Sequence, residues 1–168
     1  LEAVSHFRSR QMAYKSKPTV TRPANTTAYT AGDVLGGAIE FPAIGPFAGD
    51  INITSTALTA HIAAIPAGMT SFRLHLYDVT PPSALADNAA WDLPSGDRAS
   101  YLGYVDLGSP AAVGATPATL YVQADQVNKQ ARLRGGYSLW GYLVTNGGFT
   151  PAGNSEVYTP ELHAIDAE

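Results

Sequence analysis

The sequence predicts an all-β domain: an antiparallel β-sandwich, of jelly-roll type, with about eight strands and an extended N-terminal arm. Three observations predict it. Gly and Pro are frequent, 16 and 12 in 168 residues, and break the chain into short pieces. The pieces between them are rich in Val, Ile, Thr and aromatic residues, and several alternate apolar with polar positions. No long amphipathic helix alternates with these runs, which excludes a parallel α/β sheet, and no internal repeat suggests a propeller or a solenoid.

Composition sets the outer limits. With 45% apolar residues and a net charge of −4, the chain can bury a real core, so disorder is excluded. Only 14% of the residues are charged, against roughly 25% in an ordinary domain. Ala and Thr fill the surface in place of charge. There is no Cys, hence no disulfide framework and no thiolate chemistry. No 18-residue apolar run is present, so no membrane partner is expected.

The elements follow in order. Tyr29 to Phe41 reads as a strand whose Gly36-Gly37 pair marks a bulge or bend. Phe41 to Asp50, with two Pro and two Gly, is a loop. Ile51 to Ile65 lacks Gly and Pro, and its Ile and Thr favour one long strand, closed by a turn at Pro66-Ala67-Gly68. Ser71 to Asp78 is the clearest strand. Phe72, Leu74 and Leu76 share one face, and Arg73, His75 and Tyr77 share the other, the pattern of a sheet packed on one side only. Pro81-Pro82 ends it. The Ala- and Asp-rich stretch Ser83 to Ser100 is expected to hold one or two short helical turns around Trp91, with Ser95 capping the turn at Gly96-Asp97-Arg98.

Leu102 to Leu107 is a short strand, followed by a loop of small residues from Gly108 to Pro117. Thr119 to Ala124 and Gln130 to Arg134 form two more strands around a turn near Asn128. Tyr137 to Thr145 is apolar on both faces, as a central strand should be. Asn146-Gly147-Gly148 signals a tight turn. Glu156 to Ile165 ends the fold, and Pro160 within it argues for an edge or a bulge.

Charge divides the chain. Residues 1–22 hold Arg8, Arg10, Lys15, Lys17 and Arg22 against Glu2 alone, a net of +4 that leaves −8 on the rest. This reads as a basic arm over residues 1–25 on an acidic sandwich over residues 26–168. Without interleaved aromatic or Gly motifs, the arm does not indicate nucleic acid. Met12 opens MAYKSKPTVTRP, the look of a natural start, so residues 1–11 read as an upstream extension. No secretory signal is apparent, and synthesis in a bacterial cytoplasm is expected.

Catalytic and metal motifs are missing. His6, His61, His75 and His163 lie far apart, and the His-x-His of a metal-binding cupin is absent. So are a Gly-x-Ser-x-Gly elbow, a phosphate-cradling Gly loop and a zinc His-Glu-x-x-His helix. Most Asp sit at turn-like positions such as Asp33, Asp50, Asp87 and Asp97, where they bond nearby backbone. Neither an enzyme nor a cofactor is expected. Tyr101, Tyr104, Trp140 and Tyr142 lie in or beside strands. They suit either core and protein-interface anchors or a sugar-stacking platform.

Four segments carry a family resemblance: 26–37 (TTAYTAGDVLGG), 74–93 (LHLYDVTPPSALADNAAWDL), 101–108 (YLGYVDLG) and 139–162 (LWGYLVTNGGFTPAGNSEVYTPEL). They resemble tailed-phage structural proteins encoded near the major capsid gene, the capsid cement or decoration proteins. The resemblance implies a jelly-roll body on the outside of a virion shell, bridging neighbouring major capsid subunits, with no catalytic residues. It also implies a partner, the major capsid protein, and a dimer or trimer on the capsid lattice. Lys15, Lys17 and Arg22 are the expected capsid-binding groups. The alternative is a carbohydrate-binding sandwich on the virion or a fibre.

Overall fold

The computed structural model describes residues 11–62, 64–114 and 119–167, and none of these is helical. Eleven strands form: β1 (Ala13–Ser16), β2 (Val20–Thr21), β3 (Val34–Phe41), β4 (Asp50–His61), β5 (Phe72–Tyr77), β6 (Tyr101–Leu107), β7 (Ala111–Ala112), β8 (Thr119–Ala124), β9 (Lys129–Arg132), β10 (Leu139–Thr145) and β11 (Val157–Asp166). All pairings are antiparallel. The larger sheet runs β1-β11-β4-β8-β7, with β2 also on β11 and β9 also on β4; the smaller runs β3-β10-β5-β6.

The strand order settles the topology. β8 and β9 pair with successive parts of β4 and act as one interrupted strand. Setting aside the short β2 and β7, eight strands remain. The first pairs with the last (β1·β11), the second with the seventh (β3·β10), the third with the sixth (β4·β8) and the two middle ones with each other (β5·β6). A long antiparallel ribbon wrapped over itself gives this pattern and no edge-to-edge meander does; it is the jelly roll.

The main core lies between the sheets. Leu35, Phe41, Ile51, Ile53, Phe72, Leu74, Leu143, Tyr158 and Leu162 are all buried in it. Their two-residue spacing on β5 and β11 is the alternation that the sequence shows. The Gly36-Gly37 pair forms the bulge: β10 steps from Leu143↔Leu35 directly to Tyr142↔Ala38. Both glycines take left-handed φ, 74° and 93°. A methyl group on Gly36 would collide with Val20 of β2, so the bulge also brings β2 close to β3.

Pro160 sits within the sheet, not at its outer rim. On one side it faces Leu58 of β4. On the other it faces the gap between β1, which ends opposite Leu162, and β2, which begins opposite Tyr158. A residue with no N–H is tolerated there because no ladder partner stands opposite.

Three expectations change. Ser83 to Ser100 forms no helix, and its helical turn, Tyr101 N–H on the Asp97 carbonyl at 3.1 Å, lies at its end and not around Trp91. The segment crosses the outer face of the smaller sheet, where Leu85, Trp91 and Leu93 pack on Val34, Tyr77, Tyr142 and Val144. Asp87 and Asp97 bond backbone outside their own turns: Gly36 N–H donates to Asp87 (2.8 Å) and Ser83 N–H to Asp97 (3.1 Å). The turn expected to be capped by Ser95 closes through Asp97 N–H on the Pro94 carbonyl. Second, the face of β5 with His75 and Tyr77 is covered, so this sheet is packed on both sides. Third, Asn146-Gly147-Gly148, expected as a tight turn, is a bend held by the Thr145 hydroxyl on Gly147. It leads to Phe149, which bridges to Tyr29, and it packs against the Gly68 turn.

Candidate functional site

The basic residues expected in the arm separate into two sites. Residues 13–16 are strand β1, laid along β11, so the sheet begins well before residue 25. Arg8 and Arg10 lie outside the described residues. Lys15 and Lys17, two apart on an extended strand, point the same way. Both reach Glu161 of β11, at 2.9 Å and 3.2 Å. His163, also two residues from Glu161, bonds the same carboxylate. Burial alone would raise the Glu161 carboxyl; the hydrogen bonds from Lys15, His163 and Lys17 override it and bring it down to about 2. The ammonium groups remain half exposed, at 55% and 48%.

Arg22 is no surface residue. Its side chain is fully buried, with the guanidinium stacked over Tyr29 at 4.7 Å and Glu156 at 3.8 Å. Its Nε donates to the Tyr29 hydroxyl, which donates in turn to Asp87 at 2.6 Å. Glu156 also accepts from Gly153 N–H and from the Tyr158 hydroxyl. Burial pushes both phenols, Tyr29 and Tyr158, well above the ordinary tyrosine value. The network ties the start of the chain, the Asp87 segment and β11 together. Arg22 is therefore unavailable to a partner, and its role is internal.

The aromatic residues are mostly anchors too. Tyr142 is completely buried; its hydroxyl donates to the Ser83 carbonyl (2.8 Å) and accepts from Leu85 N–H (3.1 Å). Trp140 and Tyr101 are half-buried in the same cluster. The Tyr101 hydroxyl lies 2.9 Å from Nδ1 of His75, and the His75 ring stacks on Trp91 at 3.8 Å. Burial first, and the neighbouring Arg73 charge second, lower His75 from 6.5 to about 4, against the opposing pull of Asp106. Tyr104 alone of the four is exposed. Its ring is capped by Arg73, which also pairs with Asp106 at 2.8 Å. A flat platform open to a sugar does not form: three of the four rings hold the crossing segment down. His75 and Trp91, the centre of the cluster, were legible only as a strand residue and a loop residue. Their meeting depends on the path of residues 79–100.

The outer face of the larger sheet is the broad open surface. Tyr158, Leu162 and Ala164 point inward, so Val157, Thr159, Glu161 and His163 point out. Cross-strand register sets Thr159, Thr59 and Tyr121 in one row, and Glu161, Ala57 and Gln123 in the next. The face carries Thr, Ala, Gln and Tyr121 between two charged groups, the Glu161 cluster and the Asp50–Arg132 pair of β4 and β9. Among the described residues, no three His, Cys, Asp or Glu side chains gather as a metal-ligand set.

No protein-family model matches the chain, and no curated protein sequence matches it. Solved structures similar to it include one of turnip yellow mosaic virus, at 11% identity and TM-score 0.29, covering 100% of this chain and 86% of that one. A full particle of Israeli acute paralysis virus gives 12% and 0.28, covering 98% and 74%. A native virion of Kashmir bee virus at acidic pH gives 13% and 0.27, covering 99% and 74%. The jelly roll assigned above rests on strand order, not on these similarities.

Proposed function

We propose that this chain is a structural protein of a virion, that it lies on the outside of a phage shell, and that it bridges neighbouring major capsid subunits. One observation carries the reading: the outer face of the larger sheet exposes Tyr121 and Gln123 beside Thr59 and Thr159, and its Lys15 and Lys17 are already paired with Glu161 of the same face. Covering such a face costs little desolvation of ionic groups, so modest contacts are enough to hold it. Copies bound on a repeating lattice then gain by avidity. The family resemblance supports it, and its longest segment, 139–162, forms β10 and the first six residues of β11, interior strands of the two sheets. Lys15 and Lys17 enter as part of this face. Arg22 does not.

Deleting residues 1–22 is no clean test, because β1 and Arg22 belong to the sandwich. Co-sedimentation with shells assembled from the major capsid protein of the same phage is the direct one. The purified chain should pellet with the shells in a fixed ratio. The double variant Thr59→Glu/Thr159→Glu should stay folded and lose at least tenfold in attachment. Asp92→Arg, on the opposite side, should attach normally. A wild-type chain left in the supernatant overturns the virion reading. Full attachment of Thr59→Glu/Thr159→Glu overturns the assignment of the face.

A further inference from the structure

Of the eight Lys and Arg side chains among the described residues, five pair with a carboxylate. Lys15 and Lys17 take Glu161, Arg22 takes Glu156, Arg73 takes Asp106 and Arg134 takes Asp78. Arg98, Lys129 and Arg132 form no ion pair among the described residues, although acids outnumber bases 14 to 10 in the chain. All three lie on one side of the sandwich, where β9 passes the start of β6.

The packing fixes that grouping. Lys129 Nζ lies over Gly103, where an added methyl group would stand 3.0 Å from it. Arg134 donates to the Ala99 carbonyl at 2.8 Å and pairs with Asp78 at 2.8 Å, which holds Ala99 and its neighbour Arg98 beside the end of β9. Leu133 N–H donates to the Gly49 carbonyl at 2.9 Å. Beside Arg132 runs a groove of about 430 Å3, lined by Ile51, Leu102 and Ala131 and by the exposed Asp50, Gln130 and Arg132. Neighbouring acids are engaged: Asp78 by Arg134, Asp97 by Ser83 N–H (3.1 Å) and Asp166 by Met12 N–H (3.3 Å). Asp50 is the acid at the groove, opposite Arg132 in the β4–β9 ladder.

We propose that this side of the sandwich docks an extended acidic peptide of a partner protein, its carboxylates on Arg98, Lys129 and Arg132 and its apolar side chains in the groove. Charge complementarity selects the partner. Cations left without internal partners in an acidic chain complement an anionic surface, and an Arg fork takes a carboxylate through both its oxygens. The lining favours a peptide over a nucleic acid. Ile51, Leu102 and Ala131 offer apolar contact, and the Gln130 amide both donates to and accepts from a peptide backbone. Among the described residues, no aromatic ring lines the groove for a base to stack on. Asp50 repels a uniformly charged phosphate backbone, whereas a peptide can space its acids to avoid it. The site is separate from the rows proposed above for shell attachment: Thr59 lies nine residues along β4 from Asp50, about 30 Å at strand spacing. It holds whether or not this chain belongs to a virion.

Fluorescence anisotropy of a labelled octapeptide of alternating Asp and Leu, titrated with the full chain, tests it. Saturable binding is expected below about 1 mM, weakening as salt rises from about 50 to 300 mM. Arg132→Gln should weaken it at least tenfold. So should Gln130→Trp, which fills the groove from an exposed position. Arg73→Gln makes the same charge change away from the site and should bind like wild type. Arg132 is exposed and without an ion pair among the described residues, so its variant keeps the fold and decides the outcome if Gln130→Trp does not fold. No saturation in that range overturns the proposal. So does equal binding of an octapeptide of alternating Lys and Leu, tighter binding of an oligothymidylate of equal charge, or a loss with Arg73→Gln as large as with Arg132→Gln. Binding that survives Arg132→Gln, or a folded Gln130→Trp, overturns it as well.

Discussion

Arg22 and Glu156 show how one side chain can reverse its expected role. A basic residue near the start of the chain suggests a solvated arm. Here it is walled in by Tyr29, Tyr158 and Glu156. Removing one partner of a buried ion pair leaves the other charge uncompensated. Arg22→Met should therefore cost about 3–5 kcal/mol in denaturant unfolding, whereas Lys17→Met, half exposed, should cost under about 1 kcal/mol. Two other residues set the response to acid, in separate windows. His75 falls from 6.5 to about 4 in the folded chain, so the unfolded chain takes up a proton first. Stability should decline as pH drops from about 6.5 to 4, by up to about 3 kcal/mol, and His75→Phe should flatten that part of the curve. Glu161 is shifted the other way, from 4.5 to about 2. Its contribution is complete above pH 4.5 and is lost as pH falls toward 2, a loss that Glu161→Gln removes. Unfolding free energy measured from pH 7 to 3 separates the two.

At the scale of elements, three of the four sheet edges are protected against pairing with another chain, β7 of only two residues being the fourth. β1 carries Lys15 and Lys17. β3 is covered over its first half, where Val34 exchanges backbone hydrogen bonds with Asn88 and Ala89. β6 carries a bulge at Leu102, and Lys129 reaches across to Gly103. Charges, covering segments and bulges are the known means of keeping edges apart. Contacts with neighbours are thus left to sheet faces and loop ends. The segment 79–100 matters most for the smaller sheet. Trp91→Ala should destabilise by about 3 kcal/mol, speed proteolysis between residues 79 and 100, and let His75 titrate closer to 6.5 by NMR. The Gly68 turn is equally exacting: φ is +88° and a methyl group would meet the Gly148 carbonyl oxygen. Gly68→Ala should cost more than about 1 kcal/mol in thermal unfolding. Much of this layer was legible in the sequence. Two-residue alternation marked β5 and the Gly36-Gly37 pair marked the bulge of β3, whereas Pro160, which argued for an edge or a bulge, lies in an interior strand opposite the gap between β1 and β2. What could not be read was contact between segments distant in sequence. Asp87 and Asp97 look like local turn residues because their bonds to Gly36 and Ser83 exist only once the segment has crossed the sheet. Arg98 is distant in sequence from Lys129 and Arg132, and only the packing of β9 beside the start of β6 gathers them.

For the whole molecule, charge and topology point to separate uses of separate surfaces. Among the described residues, Lys15 and Lys17 are paired with Glu161 and Arg22 with Glu156, so these charges of the larger sheet are balanced locally. The acidic excess lies with the smaller sheet and its crossing segment, among them Asp78, Asp92 and Asp106. Raising salt should therefore change attachment through the larger face only slightly, a flat dependence checkable in the same sedimentation assay. The pairing of β1 with β11 has a consequence in time. Met12 N–H donates to Asp166, and Gln11 bonds the Asp166 carbonyl, so the two ends of the described chain meet. The sheet order cannot close until the last strand has left the ribosome. A nascent chain arrested before residue 155 should remain protease-sensitive throughout, and the released protein should fold slowly, in the millisecond-to-second range of sandwiches dominated by distant contacts. Folding here waits for β11.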